Sequence, residues 1–182
     1  MFEAIKKCDK CELCKHQAPL LDTAQRCQVF WVGLSAKKSI STDERPLSPM
    51  TKSGSILLRV EETLSNVVTY RTNIVKCVPL DDNMKLRYPN KREIDMCMPH
   101  IDAEIQELSP QIVFLLGRKV TEAVSRFYSI DCKMWDNFDY QYVKYNNIYF
   151  VPIHHPAYIQ VYKRKQAQEY VLGIRSIIEQ LL

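Results

Sequence analysis

TYRTNIVKCVP, residues 69–79, is a run of β-branched and apolar residues closed by Pro79, and it reads as a strand. Upstream of it, GSILLRVEETL carries apolar residues at helical spacing, with Ser53 or Ser55 available as a cap. Further back, CQVFWVGL, residues 27–34, is a continuous apolar run of the kind that suits a buried strand. Downstream, the loop DDNMKLRYPN leads into KREIDMCMPHIDAEIQEL, a helix that Asn90 can cap; Pro99 inside it predicts a break or restart. QIVFLLG is another buried strand and RKVTEAVSRFY a helix. YQYVKYNNIYFVPIHHP reads as a hairpin turning at Asn146-Asn147, its second strand ending at two histidines. Residues 163–182 predict a last amphipathic helix, and residues 1–14 a short helix running into a cysteine pair. Strands alternating with helices imply an α/β fold. We expect a three-layer α/β/α sandwich with a mostly parallel central sheet, as one domain over residues 1–182.

With 182 residues, 46% of them hydrophobic, the chain has the composition of a globular protein. No apolar run reaches the length of a membrane span, and MFEAIKKC lacks the apolar stretch of a secretory signal. The expectation is a cytoplasmic monomer with no membrane partner, whose thiols stay reduced. A net charge of +4 says little until the charges are placed on a fold.

Seven cysteines cannot all pair, so metal binding is the better reading of the clustered ones. Cys8-x-x-Cys11 has metal-ligand spacing, and Cys77 and Cys97 form a distant second pair. Cys11-x-x-Cys14 has the same spacing as the first pair, so Cys14 competes with Cys8. Cys14, Cys27 and Cys132 otherwise read as small buried or half-buried thiols.

Taken in order, CDKCEL, the VG of the first strand, TNIVKCVP, CMPH, LSPQIVFLLG and HPAY resemble the iron–sulfur uracil-DNA glycosylases, families 4 and 5 of that superfamily. The resemblance implies a 4Fe-4S cluster on Cys8, Cys11, Cys77 and Cys97; structural zinc is the alternative, because four thiolates also suit tetrahedral zinc. It implies that Asn73 reads the uracil edge through its side-chain amide, which can pair with a carbonyl and a ring N–H together. It also implies that His155 faces uracil O2 and stabilises the departing anion. His154, by strand alternation, should turn elsewhere.

The chain departs from the family in the first motif. Where family 4 has a carboxylate, this chain has Gly33-Leu34-Ser35-Ala36-Lys37-Lys38; Gly33-Leu34 looks more like family 5. The expected Pro-Phe segment, whose ring stacks on the base, is Pro46-Leu47 here. Gly33, Leu34, Ser35 and Leu47 are therefore expected at the base, with Asp43 or Glu44 as possible sources of a carboxylate. After HPAY, Ile159 or Tyr162 is available as a plug for the gap left by a flipped base.

Basic residues fall in three loops expected at the carboxyl edge of the sheet. Lys37, Lys38 and Lys52, with Arg45, belong to the first; Lys85, Arg87, Lys91 and Arg92 lie in or beside the second; Lys163, Arg164 and Lys165 follow the third. They imply DNA as the partner, and the resemblance implies uracil-containing DNA, single- or double-stranded. The expected activity is hydrolysis of the N-glycosidic bond of deoxyuridine. The alternatives are a non-catalytic DNA-binding module on the same scaffold, or a glycosylase for another deaminated base.

Overall fold

The computed structural model describes residues 1–38 and 44–182. Five strands form one sheet in the order β2-β1-β3-β5-β4: β1 Val29–Ser35, β2 Thr69–Val75, β3 Ile112–Leu116, β4 Val143–Tyr145 and β5 Ile148–Ile153. β2, β1, β3 and β5 run parallel, and β4 returns antiparallel to β5. The β4–β5 turn is made by Asn146 and Asn147, both at positive φ (47° and 62°), a geometry asparagine tolerates better than most residues.

The helices cover both faces. α3 (Lys91–Leu108) and α4 (Arg118–Tyr128) pack on one, against Phe30, Val32, Tyr70, Val113 and Leu115. α2 (Lys52–Glu61), α5 (Pro156–Tyr162) and α6 (Ala167–Leu181) pack on the other, against Val29, Trp31, Ile112, Phe114 and Val151. Consecutive residues of β1 thus feed opposite cores, which is why the strands read as unbroken apolar runs. α1 (Phe2–Lys6) lies at the amino end. Among the described residues, no helix is long and apolar enough to cross a membrane.

Three local expectations are corrected. α3 runs unbroken through Pro99. Its entry is fixed by a capping box between Asn90 and Glu93, and Cys97, Met98, His100 and Ile101 are buried around the proline. That packing outweighs a proline's local cost of about 3 kcal/mol. α2 is capped by Thr51, whose Oγ1 accepts from Gly54 N at 3.0 Å, rather than by Ser53 or Ser55. The last helical region breaks at Lys163: α5 begins at Pro156, a short 3-10 turn spans Arg164–Gln166, and α6 follows.

One ion pair is sealed inside the first core. Lys76 and Glu104 have side chains 1% and 0% exposed, and their charged atoms lie 2.6 Å apart. The Lys76 ammonium donates to Glu104 Oε2, to Thr72 Oγ1 at 2.6 Å and to the Asn73 carbonyl at 2.9 Å, so each of its hydrogens is used. Glu104 also accepts from the Tyr70 and Thr72 hydroxyls. Burial pulls the Lys76 pKa below its usual range and the Glu104 charge opposes that fall. Removing one partner strands a buried charge. We expect Lys76→Met to cost about 3–5 kcal/mol, and the double variant Lys76→Met/Glu104→Leu to recover most of it, in urea denaturation. A single variant as stable as the parent contradicts this account of the core.

Candidate active site

The strand order reverses direction at β1, with β2 on one side and β3 on the other. A crevice is expected beyond the carboxyl ends of the strands at such a point. A cavity of about 510 Å³ lies there, lined by Gly33–Lys37, Asn73, Leu116–Val120 and His155 from the strand ends and by residues 44–48 and 86–88 from two loops.

Gly33 and Asn73 are register partners across β1 and β2. A Cβ on Gly33 would lie 2.3 Å from Asn73 Oδ1, so the absence of a side chain at residue 33 makes room for the Asn73 amide. Asn73 is 4% exposed, and the Lys76 ammonium holds its carbonyl from behind. A short polar side chain fixed on a central strand is well suited to reading a planar ligand edge.

His155 is the N-cap residue of α5, with Pro156 at the first helical position, so the strand-to-helix corner sets its backbone. Gly117 packs beneath it at φ 93°; a Cβ there would meet His155 Cβ at 3.1 Å. Burial, and then the nearby Lys37 ammonium, lower the His155 pKa, so the imidazole is neutral at neutral pH. His154 faces away: its Nδ1 lies 3.3 Å from the Tyr140 hydroxyl, and its ring sits among Phe138, Tyr140 and Tyr158.

Leu47 is held over the cavity by a device that the sequence reading missed. Arg71, 8% exposed, donates from Nη1 to the Leu47 carbonyl at 2.6 Å while its other nitrogens pair with Glu61. Glu61 also accepts from Trp31 Nε1 and Thr69 Oγ1, tying α2 to both strands. Gly54 lets this loop close on α2, since a Cβ there would lie 2.1 Å from the Leu47 carbonyl oxygen. Leu34 and Ser35 line the wall beside Gly33. Of the two loop carboxylates considered, Glu44 lines the cavity and is the only carboxylate among the described lining residues; Asp43 lies outside the described residues.

The basic residues separate into groups. Lys37 lines the cavity with Arg45, and with Arg118 and Lys119, which open α4 and were also missed. The signal was present in Gly117-Arg118-Lys119 directly after a buried strand, on the same sheet edge. Lys52, Arg164 and Lys165 line a second concavity with Arg59, alongside α2. Lys38 is exposed and does not line either space. Lys163 is half-buried with its ammonium 5.8 Å from the Phe138 ring centroid. Arg87 is committed internally through a two-toothed pair with Glu93, so it is not the loose rim charge expected. Ile159 is fully buried in the second core and cannot plug a gap in DNA; Tyr162 is 75% exposed.

The cysteines gather at the end of the first core. Cys77 and Cys97 are each 5% exposed, Cys8 follows α1, and Cys11 directly precedes the 3-10 turn Glu12–Lys15. Burial, followed by the neighbouring thiols of Cys97, Cys11, Cys14 and Cys8, pushes the Cys77 pKa up to about 12. Cys8 Sγ lies 3.2 Å from His100 Nε2, and Cys14 Sγ donates to the Cys11 carbonyl. This thiol-rich neighbourhood, with the His100 imidazole at its edge, fits a soft metal centre in donor chemistry, although the described residues contain no group of three or more ligands drawn to metal-holding distance.

Comparisons with known proteins agree with this architecture. The crystal structure of wild-type Pedobacter heparinus SMUG2 superposes with a TM-score of 0.58 at 13% identity, covering 86% of this chain and 76% of that one. The Type-4 uracil-DNA glycosylase of Sulfurisphaera tokodaii is 24% identical over 188 residues, spanning 98% of this chain and 78% of the relative. The enzyme of the same description from Saccharolobus solfataricus is 24% identical over 172 residues, 85% of this chain and 73% of its own. The family model for the uracil DNA glycosylase superfamily matches residues 17–177, a stretch that includes Gly33, Asn73 and His155, and the chain belongs to that superfamily.

Proposed function

We propose that this chain is a monofunctional uracil-DNA glycosylase that releases uracil from DNA and leaves an abasic site. The observation that carries this reading is the convergence of Gly33, Asn73 and His155 on one cavity at the carboxyl edge of the sheet. Membership of the superfamily and the descriptions of the relatives support it.

The mechanism follows from the side chains. A deoxyuridine turned out of its strand enters the cavity between Leu47 and the β1 end. The Asn73 amide pairs with the uracil edge, donating to a carbonyl and accepting from the ring N–H; cytosine presents the opposite pattern. As the glycosidic bond lengthens, negative charge gathers on the base and positive charge on the sugar. Neutral His155 donates a hydrogen bond to uracil O2 and lowers the energy of that charge-separated state. Water adds to the sugar carbon and loses a proton, and the released uracil is protonated in turn. Glu44, the carboxylate among the described lining residues, is the candidate to orient this water in place of the one absent from the first motif. Lys37, Lys38, Lys52, Lys163, Arg164 and Lys165 contribute positive charge toward the phosphates, Lys38 and Lys163 from outside the two concavities. The replacement of the expected ring by Leu47 favours a second reading, a glycosylase for another deaminated base.

Cys8, Cys11, Cys77 and Cys97 would hold a 4Fe-4S cluster, which supplies a structural staple between the amino terminus, β2 and α3 rather than redox chemistry. We expect anaerobically purified protein to absorb broadly near ~400 nm, Cys77→Ala to lose that band with its iron, and Cys14→Ala to keep it. A colourless protein carrying zinc contradicts the assignment.

Uracil release from single- and double-stranded oligonucleotides tests the reaction directly. His155→Ala and Asn73→Ala should each lower kcat by about a hundredfold or more. Gly33→Ala should lower kcat/KM toward the Asn73→Ala value, because the added Cβ displaces the amide. A parent protein that binds uracil-containing DNA without releasing base sinks the proposal.

The pH dependence has a definite sign. A His155 pKa lowered from 6.5 leaves the imidazole neutral at and above that value. The rate should therefore hold level as pH falls from about 8 through 6.5 and change only below it. An inflection above 6.5 that vanishes in His155→Asn contradicts a neutral donor.

A further inference from the structure

The cavity has one side-chain feature that neither its strand ends nor its first loop explains. Tyr88 is 69% exposed at the cavity mouth, and it carries the only phenyl-type ring among the described lining residues. An exposed tyrosine on a loop is ordinarily mobile and uninformative. This one is held. The Arg87 guanidinium donates to the Tyr88 carbonyl at 3.0 Å and to the Leu80 carbonyl at 2.9 Å, and pairs with Glu93 on α3. The loop is closed by a bridge between Leu80 and Leu86 and by the Asp81 carboxylate, which accepts from the N–H groups of Asn83 and Lys85. Pro89 and the Asn90 cap follow immediately. The buried and ionic ties therefore fix the backbone under a ring that remains open to solvent.

The ring also has a defined polarity. The Lys119 ammonium sits 3.7 Å from the Tyr88 ring centroid, over one face. With Tyr88 69% exposed, the ring is open to a flat partner, and the ammonium beside it is placed to neutralise a neighbouring phosphate. Apolar Leu47 and Leu34 line the wall beside Asn73, so the extruded base meets aliphatic contacts there and an aromatic one at the rim.

We propose that Tyr88 is a stacking platform for the nucleobase next to the extruded one, with Lys119 as its phosphate partner. The proposal rests on the glycosylase reading for the identity of the DNA substrate. It places an aromatic contact to the flanking base on the loop before α3, separate from the contact to the extruded base that Leu47 makes in place of a ring. Base–aromatic stacking is tolerant of sequence, so the platform would strengthen binding to any flanking base.

The test uses oligonucleotides with a single uracil flanked by 2-aminopurine, and compares the parent protein, Tyr88→Phe and Tyr88→Ala. The expected result is that Tyr88→Ala raises KM by about tenfold or more and loses the 2-aminopurine quenching, while Tyr88→Phe keeps both. At saturating DNA, kcat should stay within about threefold of the parent, because the ring touches no reacting atom. Tyr88→Ala with parental KM and parental quenching overturns the platform. The two readings fail separately. Tyr88-dependent quenching in a protein that releases no uracil sinks the glycosylase reading and keeps the platform. Uracil release that is indifferent to residue 88 does the reverse.

Discussion

The Glu104 carboxylate, sealed between α3 and the sheet, is the constraint on which the rest of this structure depends. It receives the Lys76 ammonium and the Tyr70 and Thr72 hydroxyls, so β2 and α3 are joined by directional bonds as well as by apolar contact. Apolar packing alone would tolerate small slips of α3 along the strand; a satisfied buried ion pair does not, because any slip strands a charge. Lys76 in turn fixes the Asn73 carbonyl. The proposed base-reading residue is thereby held from behind by the core and in front by the bare backbone of Gly33.

The stretch from Asn73 to Cys77 links two kinds of chemistry. Asn73 faces the cavity, Lys76 reaches into the core, and Cys77 faces the thiols of the amino-terminal segment and α3. A strand end can serve all three only if successive side chains leave it in different directions, which extended backbone provides. A centre held by the thiols would therefore act on the base site through the placement of β2. The Leu47 loop is governed separately, by Arg71 and Glu61 on the other face of the sheet. Its geometry depends on α2, and it brings the Leu47 side chain to the same bare Gly33 backbone that the Asn73 amide approaches.

Much of this was legible in the sequence because it depended on periodicity and on motif order. The apolar runs around Trp31 and Phe114 read as buried strands, and Asn146-Asn147 read as a hairpin turn, because local chemistry dictates those forms. The pairing of Gly33 with Asn73 was not legible, since register across parallel strands is set by helices packed at a distance. Pro99 misled because a local rule predicted a break that burial on both sides overrides. Ile159 looked available as a plug because no sequence pattern showed α5 starting at Pro156 and turning that residue into the second core. Tyr88 stood in a stretch that read simply as a loop; what sets it apart is Arg87, whose bonds span that loop from Leu80 to Glu93.

The central claim is that Asn73 and His155 hold uracil between them at the carboxyl edge of the sheet. A crystal structure of the protein soaked with free uracil tests it most directly. The account predicts a planar ligand in the 510 Å³ cavity, its edge paired to the Asn73 amide and its O2 within hydrogen-bond distance of the His155 imidazole. Uracil bound elsewhere, or bound in this cavity with neither side chain in contact, would contradict it.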